Sequence, residues 1–283
     1  MKKILAVSGG VDSMVMLDIF TKKFKRDELV VATFDHGTRE SSRADAEFVK
    51  KIAERAGVLT YLGEEKLGEG VSEERARKVR YEFLRKVAFK ERGEIFTAHH
   101  LDDLVETTAI NFLRGTGWRG LAGLSSFGIR RPLIDGFLGE IFDRKKILEY
   151  AAKKKIVFRE DPTNSSENYL RNRIREKVRA IEFERKLEIY QLWSEQKKIM
   201  REIEKILEEI LPEERRFKRE WFLNLDEKVS LEILREGLLR SEVATTRPQI
   251  LEFLNAIKTY QPGKKFNLPE DKLVRINKAD FQL

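Results

Sequence analysis

Through its first 160 residues the chain alternates short apolar runs with segments whose apolar residues recur at helical spacing. Few folds accommodate that rhythm. Lys3–Val7, Leu29–Phe34, Val58–Leu62 and Glu94–Ala98 read as strands. Met14–Phe24, Arg43–Ala56, a long segment capped by Ser72 and closed by Gly93, and a segment from Asp102 to Arg114 read as the helices between and after them. A further extended piece is expected at Pro132–Ile134, then a helix over Asp143–Lys155 and a strand at Ile156–Arg159. Strand–helix repetition needs right-handed crossovers, so the predicted fold class is α/β, with a doubly wound, mainly parallel sheet. Ligands of such sheets bind beyond the carboxyl ends of the strands. The unusual polar clusters fall there: SGGVDS (Ser8–Ser13) after the first strand, DHGTR (Asp35–Arg39) after the second and HHLDD (His99–Asp103) after the fourth. Three clusters at one sheet edge predict one site.

Beyond Pro162 the character changes. A polar, arginine-rich stretch, DPTNSSENYLRNRIREKVR, leads to a long helix over Glu184–Leu211 that Pro212 closes. Mixed helical patterns follow, and GKKFNLPEDKLVRINKADF reads as a terminal hairpin. The expected organisation is an α/β domain over residues 1–183 and a smaller, mostly helical domain over 184–283. No run of eighteen apolar residues occurs, and Ile4–Val7 is too short for the core of a signal peptide, so a cytoplasmic protein without membrane partners is expected. There are no cysteines, which removes disulfides, thiolate zinc sites and persulfide chemistry. The net charge of +8 suits a polyanionic partner such as nucleic acid, although 37% charged residues also suits the surface of a heat-tolerant protein.

In SGGVDS two glycines let the backbone turn tightly and approach a ligand. The helix that follows offers free N–H groups and the positive end of its dipole to an anion, and Ser8 and Ser13 add hydroxyls. No lysine follows the glycines, so the loop lacks the Walker A arrangement for γ-phosphate transfer. Its residues, Ser8, Gly9, Gly10, Val11, Asp12 and Ser13, read as a phosphate-binding turn. Asp12 and Asp35 are hard oxygen ligands suited to Mg2+; the alternatives are a helix cap for Asp12 and a turn residue for Asp35. The GxGxxG formed by Gly115, Gly117 and Gly120 follows a helix rather than a strand, which excludes a dinucleotide fingerprint and leaves a flexible loop. Arg171, Arg173 and Arg175 read either as a basic solvated helix start or as contacts to RNA phosphate or a substrate carboxylate, with Arg171 and Arg175 sharing a face.

The hexad resembles the signature of the PP-loop ATP pyrophosphatases, enzymes that adenylate a substrate and release pyrophosphate. Within that group the chain is similar to the tRNA(Ile)-lysidine synthetases over roughly residues 4 to 180. The resemblance rests on SGGVDS, DHGTR, ARKVRYEFL (Ala76–Leu84), AHHLDDLVET (Ala98–Thr107), FLRGTGWRGLAGL (Phe112–Leu124), RPLI (Arg131–Ile134) and EDPTNSSENYLRNRIR (Glu160–Arg175), in the family's order. One departure is Thr38, where the family commonly has a leucine-like residue before the arginine.

The resemblance implies an ATP-binding site at Ser8–Ser13, Asp35 and His36, with Mg2+ as cofactor. It implies transfer of free L-lysine to C2 of the wobble cytidine of a tRNA(Ile) with a CAU anticodon, through an adenylated cytidine. It further implies that Asp103 positions or deprotonates the lysine amine, that His99 lies in the nucleotide pocket and that Arg80 neutralises the α-phosphate. Arg114 then sits in a substrate loop like the family's, and the C-terminal domain meets tRNA. A homodimer is compatible with this reading. Three others compete: a different PP-loop enzyme, such as a thiolase or amidotransferase; a metal-dependent phosphohydrolase built on His36, His99, His100, Asp102 and Asp103; and an RNA-binding module without chemistry.

Overall fold

A computed structural model describes residues 1–37, 42–66, 68, 71–124, 128–159, 169–269 and 271–283. Its elements in chain order are β1 (Lys2–Ala6), α1 (Val11–Lys23), β2 (Leu29–Asp35), α2 (Ser42–Arg55), β3 (Leu59–Glu64), α3 (Glu73–Glu91), β4 (Gly93–Thr97), α4 (Leu101–Leu113), α5 (Gly117–Leu121), β5 (Ile129–Arg130), α6 (Arg144–Lys154), α7 (Tyr169–Arg179), α8 (Phe183–Ile210), β6 (Arg216–Lys218), α9 (Arg219–Leu223), α10 (Glu227–Arg240), α11 (Arg247–Thr259), β7 (Lys264–Asn267), β8 (Leu273–Ile276) and β9 (Asp280–Gln282). Two compact units divide the chain, Met1–Lys197 and Lys198–Leu283, and the division falls inside α8, the helix at whose start the sequence suggests a boundary.

In the first unit five strands lie in the order β3-β2-β1-β4-β5, every adjacent pair parallel. Successive residues of a strand point to opposite faces, yet Ile4 and Leu5 of β1 are both fully buried. Leu5 packs with Met16, Phe20 and Val49 from α1 and α2. Ile4 packs on the other face with Tyr81, Leu84 and Val87 of α3. Helices therefore cover both sides, as the alternation predicts, and the central strands read as continuous apolar runs for that reason. The chain proceeds from β1 to β2 and β3 on one side, then returns to place β4 on the other side of β1. The resulting crevice opens between the carboxyl ends of β1 and β4.

Four local expectations are corrected. Pro132–Ile134 is not extended: Ile134 and Asp135 both donate to the Arg131 carbonyl in a turn, and the sheet pairing belongs to Ile129 and Arg130. Ile156–Arg159 joins no ladder, and the Arg159 N–H donates instead to the Gly9 carbonyl at 2.9 Å. The glycine-rich stretch contains the short helix α5, where Asn111 Nδ2 donates to the Gly120 carbonyl at 2.7 Å. Arg92, with φ of 49°, makes the left-handed cap of α3, and Gly93 already belongs to β4.

The second unit has its own core, centred on Phe217, Phe222, Phe253 and Phe281. An antiparallel sheet in the order β6-β9-β8-β7 lies beside α9, α10 and α11. β7 and β8 form a hairpin, and β9 carries the sheet back to the three-residue β6. Within the basic run Arg215–Arg219, Arg219 is buried and donates to the carbonyls of Ile257 and Tyr260 at 2.9 and 2.8 Å.

Candidate functional site

The β1–α1 turn is built to leave donors unused. Gly9 has φ of 89°, a left-handed conformation that a side chain would strain. Gly10 is the N-cap of α1 and brings no side chain to satisfy the helix's first N–H groups. Ser13 Oγ accepts from Ser8 N at 3.2 Å and donates to the Gly10 carbonyl at 2.9 Å, which locks the turn. The first turn of α1 thus presents N–H groups to a cleft of about 690 Å³ at the carboxyl edge of the sheet. Ser8, Gly10, Val11, Asp12, Ser13, His36, Arg80, His99 and Asp103 all line that cleft. Arg144 and Arg159, which the sequence did not single out, line it too.

The remaining sequence candidates lie elsewhere or outside view. Gly9 and Asp35 are not among the lining residues; Asp35 Oδ1 accepts the Gly37 N–H at 2.8 Å, the turn role considered for it. Arg114 is exposed at the end of α4, away from the cleft lining. Arg171, Arg173 and Arg175 lie on α7, and Arg175 Nε sits 3.5 Å from the buried Glu106 carboxylate. Arg39 and the stretch from Glu160 to Asn168 fall outside the described residues.

The three histidines differ in charge for physical reasons. Burial is the main cause that depresses the His99 pKa to about 4; Arg131, Arg77 and Arg80 also lower it, against the nearby Asp103. His99 is therefore neutral near pH 7, and its Nδ1 lies 2.9 Å from Thr97 Oγ1. His36 is also held low, first by burial and then by Arg80. His100 goes the other way. Burial disfavours its charge, but Asp103, Asp102 and Asp12 push its pKa up to about 9.

The adjacent carboxylates of HHLDD have different duties. Asp102 is buried: its Oδ1 accepts from Lys186 Nζ at 2.6 Å, and its Oδ2 accepts from the Arg144 N–H at 2.7 Å. Burial resists ionisation of Asp102, yet His100, Lys186 and that N–H hold its carboxyl well below the usual range. Lys186 also lies 3.4 Å from Asp143, the N-cap of α6. Asp103 faces the cleft with a side chain 32% exposed; its Oδ2 accepts the His100 N–H at 2.9 Å and lies 3.6 Å from His100 Nε2. Arg144 Nη1 donates to Asp12 Oδ1. Nothing in the spacing of the sequence announces Lys186 or Arg144; only Asp143, a predicted helix start, marks their neighbourhood. Among the described residues no three histidine, aspartate or glutamate side chains converge as a metal-holding group.

Residues 1–181 match the family of the PP-loop domain. A tRNA(Ile)-lysidine synthase of Thermosipho africanus is 37% identical over 186 residues, 62% of this chain and 42% of that protein. One of Thermotoga maritima is 39% identical over 184 residues, 62% of this chain and 44% of that protein. The chain thus spans less than half the length of these curated relatives. Among solved structures, the U34-tRNA thiolase NcsA of Methanococcus maripaludis superposes with a TM-score of 0.57 at 18% identity, covering 69% of this chain and 71% of that one. That likeness shows the fold.

Proposed function

Because the chain belongs to the PP-loop family, we propose that it is an ATP-dependent ligase that joins L-lysine to C2 of the wobble cytidine in a tRNA(Ile) with a CAU anticodon. The observation that carries this reading is the meeting of an uncapped helix start, Arg80, neutral His99 and Asp103 on one cleft. The relatives' names point to the substrate. In the first step the cytidine C2 oxygen attacks the α-phosphorus of ATP, and the bond to the bridging oxygen of pyrophosphate breaks. The first-turn N–H groups of α1 hold the polyphosphate, and Arg80 offsets charge growing at the α-phosphate. A neutral His99 orients the nucleotide by hydrogen bonding without adding charge.

In the second step the lysine ε-amine attacks C2, the C2–oxygen bond breaks and AMP leaves. An ordinary ammonium has a pKa of about 10.4, so it must give up a proton first. Asp103, open to the cleft, accepts that proton. For Mg2+ the fit is one-sided. Asp12, 30% exposed on the cleft wall beside the uncapped turn, suits an ion that takes one carboxylate and keeps the substrate's phosphates as further ligands, whereas Asp35 is turned onto Gly37. Bound there, the ion would neutralise phosphate charge. We assign the C-terminal unit to tRNA binding and the protein to the cytoplasm; the net charge of +8 is that of the whole chain and suits a polyanionic partner. Among the described residues no helix is long and apolar enough to cross a membrane.

The test is incubation with ATP, labelled lysine and tRNA(Ile) bearing CAU. ATP-dependent labelling of the RNA with release of AMP is expected. Labelling without ATP, or pyrophosphate release that requires a different acceptor and leaves this tRNA unlabelled, rejects the assignment.

A further inference from the structure

We propose that Arg144 is a ligand of the nucleotide's phosphates, held on Asp12 until ATP arrives. The inference rests on the reading of the cleft as an ATP site. Arg144 is the first residue of α6, and its two ends are treated differently. Its main chain is anchored: the N–H donates to Asp102 Oδ2 at 2.7 Å, and the other oxygen of Asp102 is clasped by Lys186 at 2.6 Å. Lys186 and Asp102 are 3% and 2% exposed, so this anchor is shut off from water. The guanidinium is not shut off. It pairs with Asp12 on the cleft wall, where the two side chains are 32% and 30% exposed.

A rigid base carrying a reachable cation beside an uncapped helix start is arranged for an incoming anion. Asp12 in the first turn of α1 favours the helix dipole, but an unpaired carboxylate there repels polyphosphate. Pairing with Arg144, with His100 Nε2 3.8 Å from the same oxygen, offsets that charge in the absence of nucleotide. ATP offers the guanidinium several phosphate oxygens in a geometry its planar fork matches. When Arg144 turns to them, Asp12 is released toward the cation that accompanies the phosphates. Nothing covalent changes: one ion pair is exchanged for another within the cleft.

The competing explanation is that Arg144 only props the turn through Asp12. The two differ in sign. If Arg144 is a prop, removing either partner breaks the same pair and both variants bind ATP alike. If Arg144 is a phosphate ligand, its loss weakens binding, while Asp12→Asn frees it and removes a repulsive charge.

The experiment is calorimetric titration of the full chain with ATP in EDTA, with adenosine as control. Arg144→Ala is expected to weaken ATP about 10- to 100-fold and leave adenosine within about twofold, while Asp12→Asn tightens ATP by about 3-fold or more. Arg144→Lys keeps a charge for Asp12 without the fork and is expected to lose about 3- to 10-fold, which serves if the alanine form does not fold. Equal weakening in Arg144→Ala and Asp12→Asn overturns the proposal, as does unchanged ATP affinity in Arg144→Ala or, should that form not fold, in Arg144→Lys. Failure of the unaltered protein to bind ATP overturns the ATP site itself. Absence of lysine transfer with intact ATP binding touches only the ligase assignment.

Discussion

Asp103→Asn is expected to hold ATP affinity within a few-fold of the unaltered protein and to lower lysine transfer by about 100- to 10,000-fold, the span general-base catalysis commonly supplies. The substitution is nearly isosteric, and an amide oxygen still accepts the His100 N–H that Asp103 Oδ2 now takes at 2.9 Å, so the start of α4 is preserved. What disappears is an acceptor for the ammonium proton. The defect should therefore shrink as pH rises toward the amine's own pKa of about 10.4, because more lysine arrives already deprotonated. Single-turnover transfer of labelled lysine, followed from pH 7 to pH 9.5, measures both features. Full activity in the variant ends the proposed role, and a severe loss of ATP affinity would instead move Asp103 to the nucleotide.

The second large effect concerns stability. Lys186→Met should lower the unfolding free energy by about 3–5 kcal/mol, the cost of removing one partner from a buried ion pair. Lys186 Nζ lies 2.6 Å from Asp102 and 3.4 Å from Asp143, with all three side chains at most 6% exposed. Methionine fills much the same space as the lysine stem, so the loss reports the stranded carboxylates rather than a cavity. The cluster ties the starts of α4 and α6 to α8, and a fall of roughly 6–20 °C in melting temperature should accompany the change. Urea unfolding within 1 kcal/mol of the unaltered protein would show that water or a shifted proton compensates the pair.

These two residues also mark how far the sequence could be read. The alternation of apolar runs is a local signal repeated many times, so β1, β2, β4 and the helices between them were legible within a few residues. SGGVDS was legible because its meaning depends only on following a strand and opening a helix. Asp102 and Asp103 are neighbours of identical chemistry, and nothing local tells which faces the cleft. That depends on Lys186, which comes from α8 far along the chain and whose own surroundings look like any charged helix start. Arg144 was hidden for the same reason: its partner Asp12 is 132 residues away. Arg219 looked like one more surface cation in a basic run, yet backbone carbonyls from α11 and its exit take up its guanidinium. The strand-like run Ile156–Arg159 has the composition of a strand, yet its Arg159 N–H bonds to the Gly9 carbonyl of the β1–α1 turn.

A crystal structure with a non-hydrolysable ATP analogue tests the account most directly. The phosphates should lie within hydrogen-bond distance of the N–H groups of Val11, Asp12 and Ser13, with His99 and Asp103 on the walls around the rest of the molecule. Phosphates seated anywhere else, with the first turn of α1 still facing water, would contradict it.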